Sequence, residues 1–197
     1  VKGSTIIFRF IFIILSSMFG LYGFIIAFLM KQKRNGFRSF TGMSVLIGWI
    51  MPEIVVALCW VAFFAKDGTM NMILSHTGIL SEPLAWLYKF PMLTTIIANI
   101  WHGTAFSMMQ FQAALDDISA EVEESAELDG ASGIKKMFYI TIPLVKNTIM
   151  TCMSLITLKT LSVFGLIYAM TGGGPGTKTT TLSIYMYKQA FGSYQMG

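Results

Sequence analysis

Residues 147–170 read NTIMTCMSLITLKTLSVFGLIYAM, a run whose only charge is Lys159. Crossing ~30 Å of hydrocarbon takes about 20 helical residues at about 1.5 Å each, so this run is long enough to span a bilayer. Three similar runs precede it. Residues 6–30 are interrupted only by Arg9, residues 41–65 carry Pro52 and Glu53 near their middle, and residues 91–115 are more polar, with Asn99, His102 and Gln110 spaced through them. An open strand in lipid leaves backbone N–H and C=O groups without partners, so each run is expected to be helical and the chain an all-α membrane protein with four visible spans.

Composition points the same way. The chain is 54% hydrophobic and 12% charged, whereas a soluble domain carries about a quarter charged residues. A net charge of +4 would suggest nucleic acid as a partner of a soluble protein. Here the basic residues cluster at the ends of apolar runs, where bilayer topology accounts for them, and no nucleic acid is expected. Cys59 and Cys152 lie inside apolar stretches and imply no disulfide framework.

The loops set the orientation. Lys31, Lys33, Arg34 and Arg38 crowd the connection between the first two runs, and such clusters stay cytoplasmic. Alternation then puts 66–90 outside, 116–146 inside and 171–197 outside. A cleaved signal peptide does not fit the first run, which is too long and meets the basic cluster with no small-residue cleavage site. Glu53 and Lys159 each cost roughly 2.5–3.5 kcal/mol on insertion into hydrocarbon, so they are expected to face the bundle interior or a wet cavity, paired or lining a path.

The inner segment contains DDISAEVEESAELDGA, residues 116–131. On a helix Ile118, Val122, Ser125, Ala126 and Asp129 share a face, a modest apolar stripe beside an anionic flank. Asp129-Gly130 should break that helix, because Gly tolerates positive φ and Asp bonds its own backbone in turns. A second short helix over about 132–139 would lead to Pro143 and the fourth span. From periodicity alone a docking stripe and a solvated acidic loop are equally good readings.

The same residues carry a resemblance. Glu124-Ser125-Ala126-Glu127-Leu128-Asp129-Gly130-Ala131, continued by Phe138 and Ile140-Thr141-Ile142-Pro143-Leu144, resembles the EAA signature of the membrane subunits of bacterial ABC importers. Ser125 stands where the family usually has Ala, and Ser119 where a Pro commonly precedes the motif. Phe164 to Pro175, with Thr179 to Leu182, Tyr185 to Tyr187 and Ala190-Phe191, is similar to carbohydrate permeases of the maltose-transporter type, nearer the larger component. Gly165 stands where that group often has Asp. Phe37-Arg38, Pro52, Trp60, Gly68, Asn71, Leu74 and Trp101 also fit the sugar-permease pattern.

The resemblance implies a type I importer permease fold in a bacterial cytoplasmic membrane. It also implies a second permease, two ATP-binding subunits and an extracytoplasmic solute-binding protein as partners, with ATP and Mg on the ATPase. By the same resemblance Glu124 would pair with a basic residue of the ATPase, Ala126 and Ala131 would allow close approach, Asp129 and Gly130 would fix the turn, Ser125 as a small residue would leave docking intact, and Pro143 belongs to the matching motif. Family members have more spans, so the 197 residues are expected to be an incomplete version of the subunit.

No catalytic residue and no metal site is expected. Gly172-Gly173-Gly174-Pro175 lacks the Gly-Lys-Ser/Thr of a phosphate loop, and His76 and His102 have no Glu or Cys at ligand spacing. Sugars are held by aromatic stacking and hydrogen bonds, which makes Trp101, Asn99, His102 and Tyr168 candidates for a substrate path beside Glu53 and Lys159. Helix packing is the plainer role for each. Glycerol phosphate or another solute remains an alternative cargo, and a channel or scaffold without an ATPase an alternative class. Outside, Gly173, Gly174 and Pro175 must end the fourth helix. Residues 179–191 should form a short outer helix, either shaping a gate or resting passively among headgroups.

Overall fold

The computed structural model describes residues 20–31, 35–131 and 133–193. The part of the first apolar run before residue 20 lies outside them; its remainder is helix α1, Gly20–Lys31. The other helices are α2 Asn35–Ile50, α3 Glu53–Phe63, α4 Thr69–His76, α5 Trp86–Lys89, α6 Pro91–Asp116, α7 Ala120–Leu128, α8 Ile134–Lys136, α9 Ile142–Ser162, α10 Gly165–Thr171 and α11 Leu182–Tyr187. No strand occurs among the described residues.

Two expected spans are broken. The run 41–65 divides at Met51-Pro52 into α2 and α3, because Pro52 has no N–H to donate backwards and disfavours helix at the residue before it. Pro52 instead opens α3 as its N-cap residue, its carbonyl accepting from Val55 and Val56 at 2.9 and 3.1 Å. The run 147–170 begins earlier, at Ile142, stops at Ser162 and resumes as α10 after Val163-Phe164. No proline stands at that second break. What stands there is Gly165, where a Cβ would lie 2.7 Å from the Glu53 carboxylate.

The run 91–115 forms the single helix α6, with Pro91 in its first turn, where a missing N–H costs no hydrogen bond. The hydroxyls of Thr94 and Thr95 turn back onto the Pro91 carbonyl at 2.9 and 3.0 Å, so two fully buried polar groups are satisfied within the helix. Between α8 and α9 the helix widens into a π turn over Met137–Thr141. Pro143 follows after Ile142, and a proline ring crowds the carbonyl four residues before it, here Tyr139, which widening relieves. The expected second short helix at 132–139 is therefore continuous with the fourth span.

Ile134–Ser162 is, among the described residues, the one helix long and apolar enough to cross a membrane alone. Only 22% of its most apolar window is buried, which separates it from the core helix of a soluble protein. α2 and α3 pass the same test only together, as a broken pair. α6 has the length, 26 residues, but its polar side chains keep it below the required hydropathy.

The chain forms two compact units. In one, residues 50–102 with 157–193, α10 packs on α3 around Val56, Ala57, Phe64, Leu166, Ile167 and Ile184. Its connection 66–90 is fixed by Asn71, which is buried. Asn71 Nδ2 donates to the carbonyls of Ala65, Lys66 and Leu84 at 3.1, 2.9 and 2.8 Å. Its Oδ1 accepts from the Leu84 N–H at 3.1 Å and from Trp86 Nε1 at 2.8 Å. Asn71→Ala strands several of these groups at about 1–3 kcal/mol each. Limited proteolysis should then cut 66–90 at least ~10-fold faster than in wild type, since each 1.4 kcal/mol of local opening is tenfold in population. In the other unit, 20–49 with 103–156, Phe24 meets Phe111 edge to face at 5.3 Å and Trp49 stacks on Phe106 at 6.2 Å.

Candidate functional site

The candidate residues fall into three sets, one in the unit that holds α7 and two in the unit of α3 and α10. The first set is built on α7. Ser119 holds the N-cap position in an extended conformation, and Glu121 and Glu123 occupy the first turn, where the helix dipole favours acids. At the other end Gly130 has φ +74, the Ala131 N–H reaches the Ala126 carbonyl at 2.9 Å and the Gly130 N–H the Glu127 carbonyl at 3.0 Å. These two bonds and a left-handed glycine make a Schellman motif, so Ala-x-x-Asp-Gly-Ala is the sequence of a helix end. Asp129 is the C-cap residue, and the turn expected of Asp129-Gly130 is made by backbone bonds.

Ala126 needs a correction. It is 4% exposed, buried against its own chain, and its small size serves internal packing where close approach to a partner was expected. Ala131 is half-buried, and Ser125 and Pro143 are exposed. Of the expected stripe Val122 is 39% exposed, and further exposed apolar residues of the segment are Leu128 at 89%, Ile134 at 73%, Tyr139 at 80% and Phe138. Periodicity missed these further residues because they lie past the break at Gly130 or, for Leu128, off the stripe.

The acids divide by partner. Glu123 pairs with Lys31 and Lys136, Glu127 with Lys136 at 3.1 Å, and Asp116 with Arg38. Glu124 is exposed and forms no ion pair among the described residues. Burial pushes the Glu123 carboxyl up, but the hydrogen bonds and charges of Lys31 and Lys136 outweigh it and hold it below the ordinary glutamate value. A carboxyl depressed in the fold contributes stability above its unfolded value and loses it as pH falls through the folded one. The Glu123 pairs therefore stand at neutral pH and open only on acidification.

The second set lies in the unit of α3 and α10. A ring nitrogen of His102 bonds the Met51 backbone, and Glu53 and Lys159 are both near enough to act on the imidazole. His102 Nε2 is buried without a partner among the described residues. Trp101 is half-exposed and meets Trp60 edge to face at 6.1 Å, and both line a cavity of about 210 Å³ with Met51, Val56, Cys59 and Phe63. Trp60, not among the residues expected in the path, is thus the neighbour that Trp101 shares the cavity with. Asn99, at 7% exposed, is packed inside, as the plainer of its two expected roles requires. Tyr168 belongs elsewhere, stacked on Phe164 at 5.1 Å and hydrogen-bonded to Tyr187 of α11.

The third set is a turn. Gly172 and Gly173 have φ +59 and +83, and the Gly174-Pro175 bond is cis. Thr180 donates to the Gly173 carbonyl at 2.9 Å and Thr179 to the Gly174 carbonyl at 3.0 Å, which ties the turn to the start of α11. The expected outer helix over 179–191 is shorter, α11 followed by a π turn at Lys188–Gly192.

With this geometry in place, comparison with known proteins identifies the class. Residues 20–196 match the family of binding-protein-dependent transport system inner membrane components, and the chain belongs to that family. It is 33% identical over 98% of its length to the trehalose/maltose transport system permease protein MalF of Thermococcus litoralis, covering 63% of that protein. It is 32% identical over 79% of its length to the sulfoquinovosyl glycerol transport system permease protein SmoG of Agrobacterium fabrum, covering 51%. The lactose transport system permease protein LacF of Rhizobium radiobacter is 28% identical over 85% of the chain, with 57% of the relative covered. The chain thus spans between half and two thirds of these relatives. A bacterial alginate ABC transporter, solved with an alginate pentasaccharide-bound periplasmic protein, superposes with a TM-score of 0.84 at 22% identity, covering 98% of this chain and 67% of that one. The fold is the type I ABC importer permease fold.

Proposed function

We propose that this chain forms the membrane-crossing part of a permease subunit that imports a sugar or oligosaccharide and takes its driving force from ATP hydrolysed on a separate subunit. The observation that carries the reading is the cytoplasmic segment: a rigidly ended helix, α7, whose Glu124 is left exposed beside large exposed apolar residues, Leu128, Ile134 and Tyr139. A solvated loop has no reason to display these, whereas a docking helix does. ATP and Mg then belong to the partner, and a second permease and a solute-binding protein complete the assembly. The sugar cargo is supported by the named substrates of the relatives and by the Trp60–Trp101 cavity beside His102.

The charges of Glu53 and Lys159 beside His102 favour one further reading, a cargo that bears charge, such as glycerol phosphate. One assay addresses both. Proteoliposomes holding the full-length subunit with its second permease, ATPase and binding protein should accumulate labelled oligosaccharide only when ATP is enclosed on the ATPase side. Equilibration without ATP would point to a channel. Competition by glycerol phosphate, with none by neutral sugars, would point to the charged cargo.

A further inference from the structure

At the cytoplasmic end of one unit, three helices meet at a single ammonium group. Lys31 ends α1; its Nζ pairs with Glu123 of α7 and donates to the backbone carbonyl of Leu115, in the last turn of α6. Carbonyls at a helix end lack intrahelical partners and carry partial negative charge, so a cation is well placed there. Lys136 approaches from the other side, 3.6 Å from Glu123 and 3.1 Å from Glu127. An isolated surface pair contributes little, but the side chains of Lys31 and Lys136 are only 20% and 16% exposed, and they form a network. α6 and α7 are neighbours in sequence and already joined by 117–119. α1 is remote in sequence; Phe24 packs it on α6 against Phe111, and Lys31 carries the contact on to α7.

We propose that Lys31 and Glu123 form a clasp that makes α1 follow the coupling helix α7, so that Glu123 is a positioning residue for coupling and takes no part in holding the ATPase. The proposal rests on the reading of α7 as a docking helix. Its division of labour is specific: Glu124 faces outward to the partner, while Glu123, one residue earlier, faces inward and passes the movement of α7 to the first helix.

The test uses the full-length subunit assembled with its partners in proteoliposomes, reading ATP hydrolysis and uptake in the same vesicles. Glu123→Gln and Lys31→Gln should each leave binding-protein-stimulated hydrolysis near wild type and lower the uptake per ATP by about fivefold or more, the lower end of typical coupling between sites. Glu123→Asp, which keeps the charge, should restore most of the ratio. A general structural defect would lower both activities together and would not be relieved by Asp. An unchanged ratio in both Gln variants overturns the clasp. Loss of hydrolysis with release of the ATPase in Glu123→Gln also overturns it, by placing Glu123 in the partner interface. Glu124→Lys in the same vesicles reads the docking role separately: wild-type behaviour there removes the docking reading, whatever the Glu123 variants do.

Discussion

Glu124→Lys is expected to abolish binding-protein-stimulated ATP hydrolysis and uptake while the subunit still folds and inserts. Folding should survive because Glu124 is exposed and the neighbouring acids carry the internal pairs: Glu123 with Lys31 and Lys136, and Glu127 with Lys136. The helix itself should survive because its end is fixed by backbone bonds at Gly130 and Ala131, which a change at 124 does not touch. The loss falls on the interface. Removing one partner of a desolvated ion pair costs about 2–5 kcal/mol, and a lysine adds repulsion against a basic partner. At 1.4 kcal/mol per tenfold, the smaller figure is already a loss of about 30-fold. Reconstituted complexes assayed for both activities at equal subunit content decide the matter. Values within error of wild type would remove Glu124 from the interface.

Much of this molecule was legible in the sequence because the bilayer leaves few choices. Length and hydropathy were enough to place helices near 41–65, 91–115 and 147–170, since unpaired backbone in lipid is so costly. Where those helices break was less legible. Pro52 marked its own break, and the consequence could be read from the missing N–H. The break at Val163-Phe164 carries no such signal. It stands beside Gly165, and the reason to notice that residue is the Glu53 carboxylate, more than a hundred positions away in the chain.

The site shows the same division. The end of α7 was legible because Gly130 announces a left-handed residue, and the bonds to Ala126 and Glu127 follow locally. Which acids stay free was not legible. A basic cluster at 31–38 serves topology on any reading, and only the folded chain brings Lys31 to Glu123 and Arg38 to Asp116. Ala126 illustrates the opposite case. A small residue in a docking motif suggested contact with something outside, yet it is buried in this chain. Periodicity gives the face of a helix and not what covers it.

The outer turn makes the other large prediction, and the structure moves it by one residue. From sequence, Gly174 and Pro175 are the natural targets. In the fold, a Cβ on Gly174 would meet only the Thr171 carbonyl at 3.4 Å and the Gly176 nitrogen at 3.6 Å, ordinary contacts that a small side chain tolerates. Gly173 is different on both counts. Its φ of +83 lies where L residues are rarely found, and a Cβ there would lie 2.9 Å from Ile184 Cγ2, 3.0 Å from Lys188 Nζ and 3.0 Å from Thr180 Oγ1. Its carbonyl also accepts the Thr180 hydroxyl that ties the turn to α11. A β-branched residue in such a conformation costs about 1–3 kcal/mol before any collision is counted. Gly173→Val should therefore unseat α11 and lower uptake by about tenfold or more, while Gly174→Ala stays near wild type and both still copurify with the ATPase. If uptake by Gly173→Val equals that of wild type at equal expression, α11 is a passive helix at the membrane surface and the outer turn has no part in passage of the substrate.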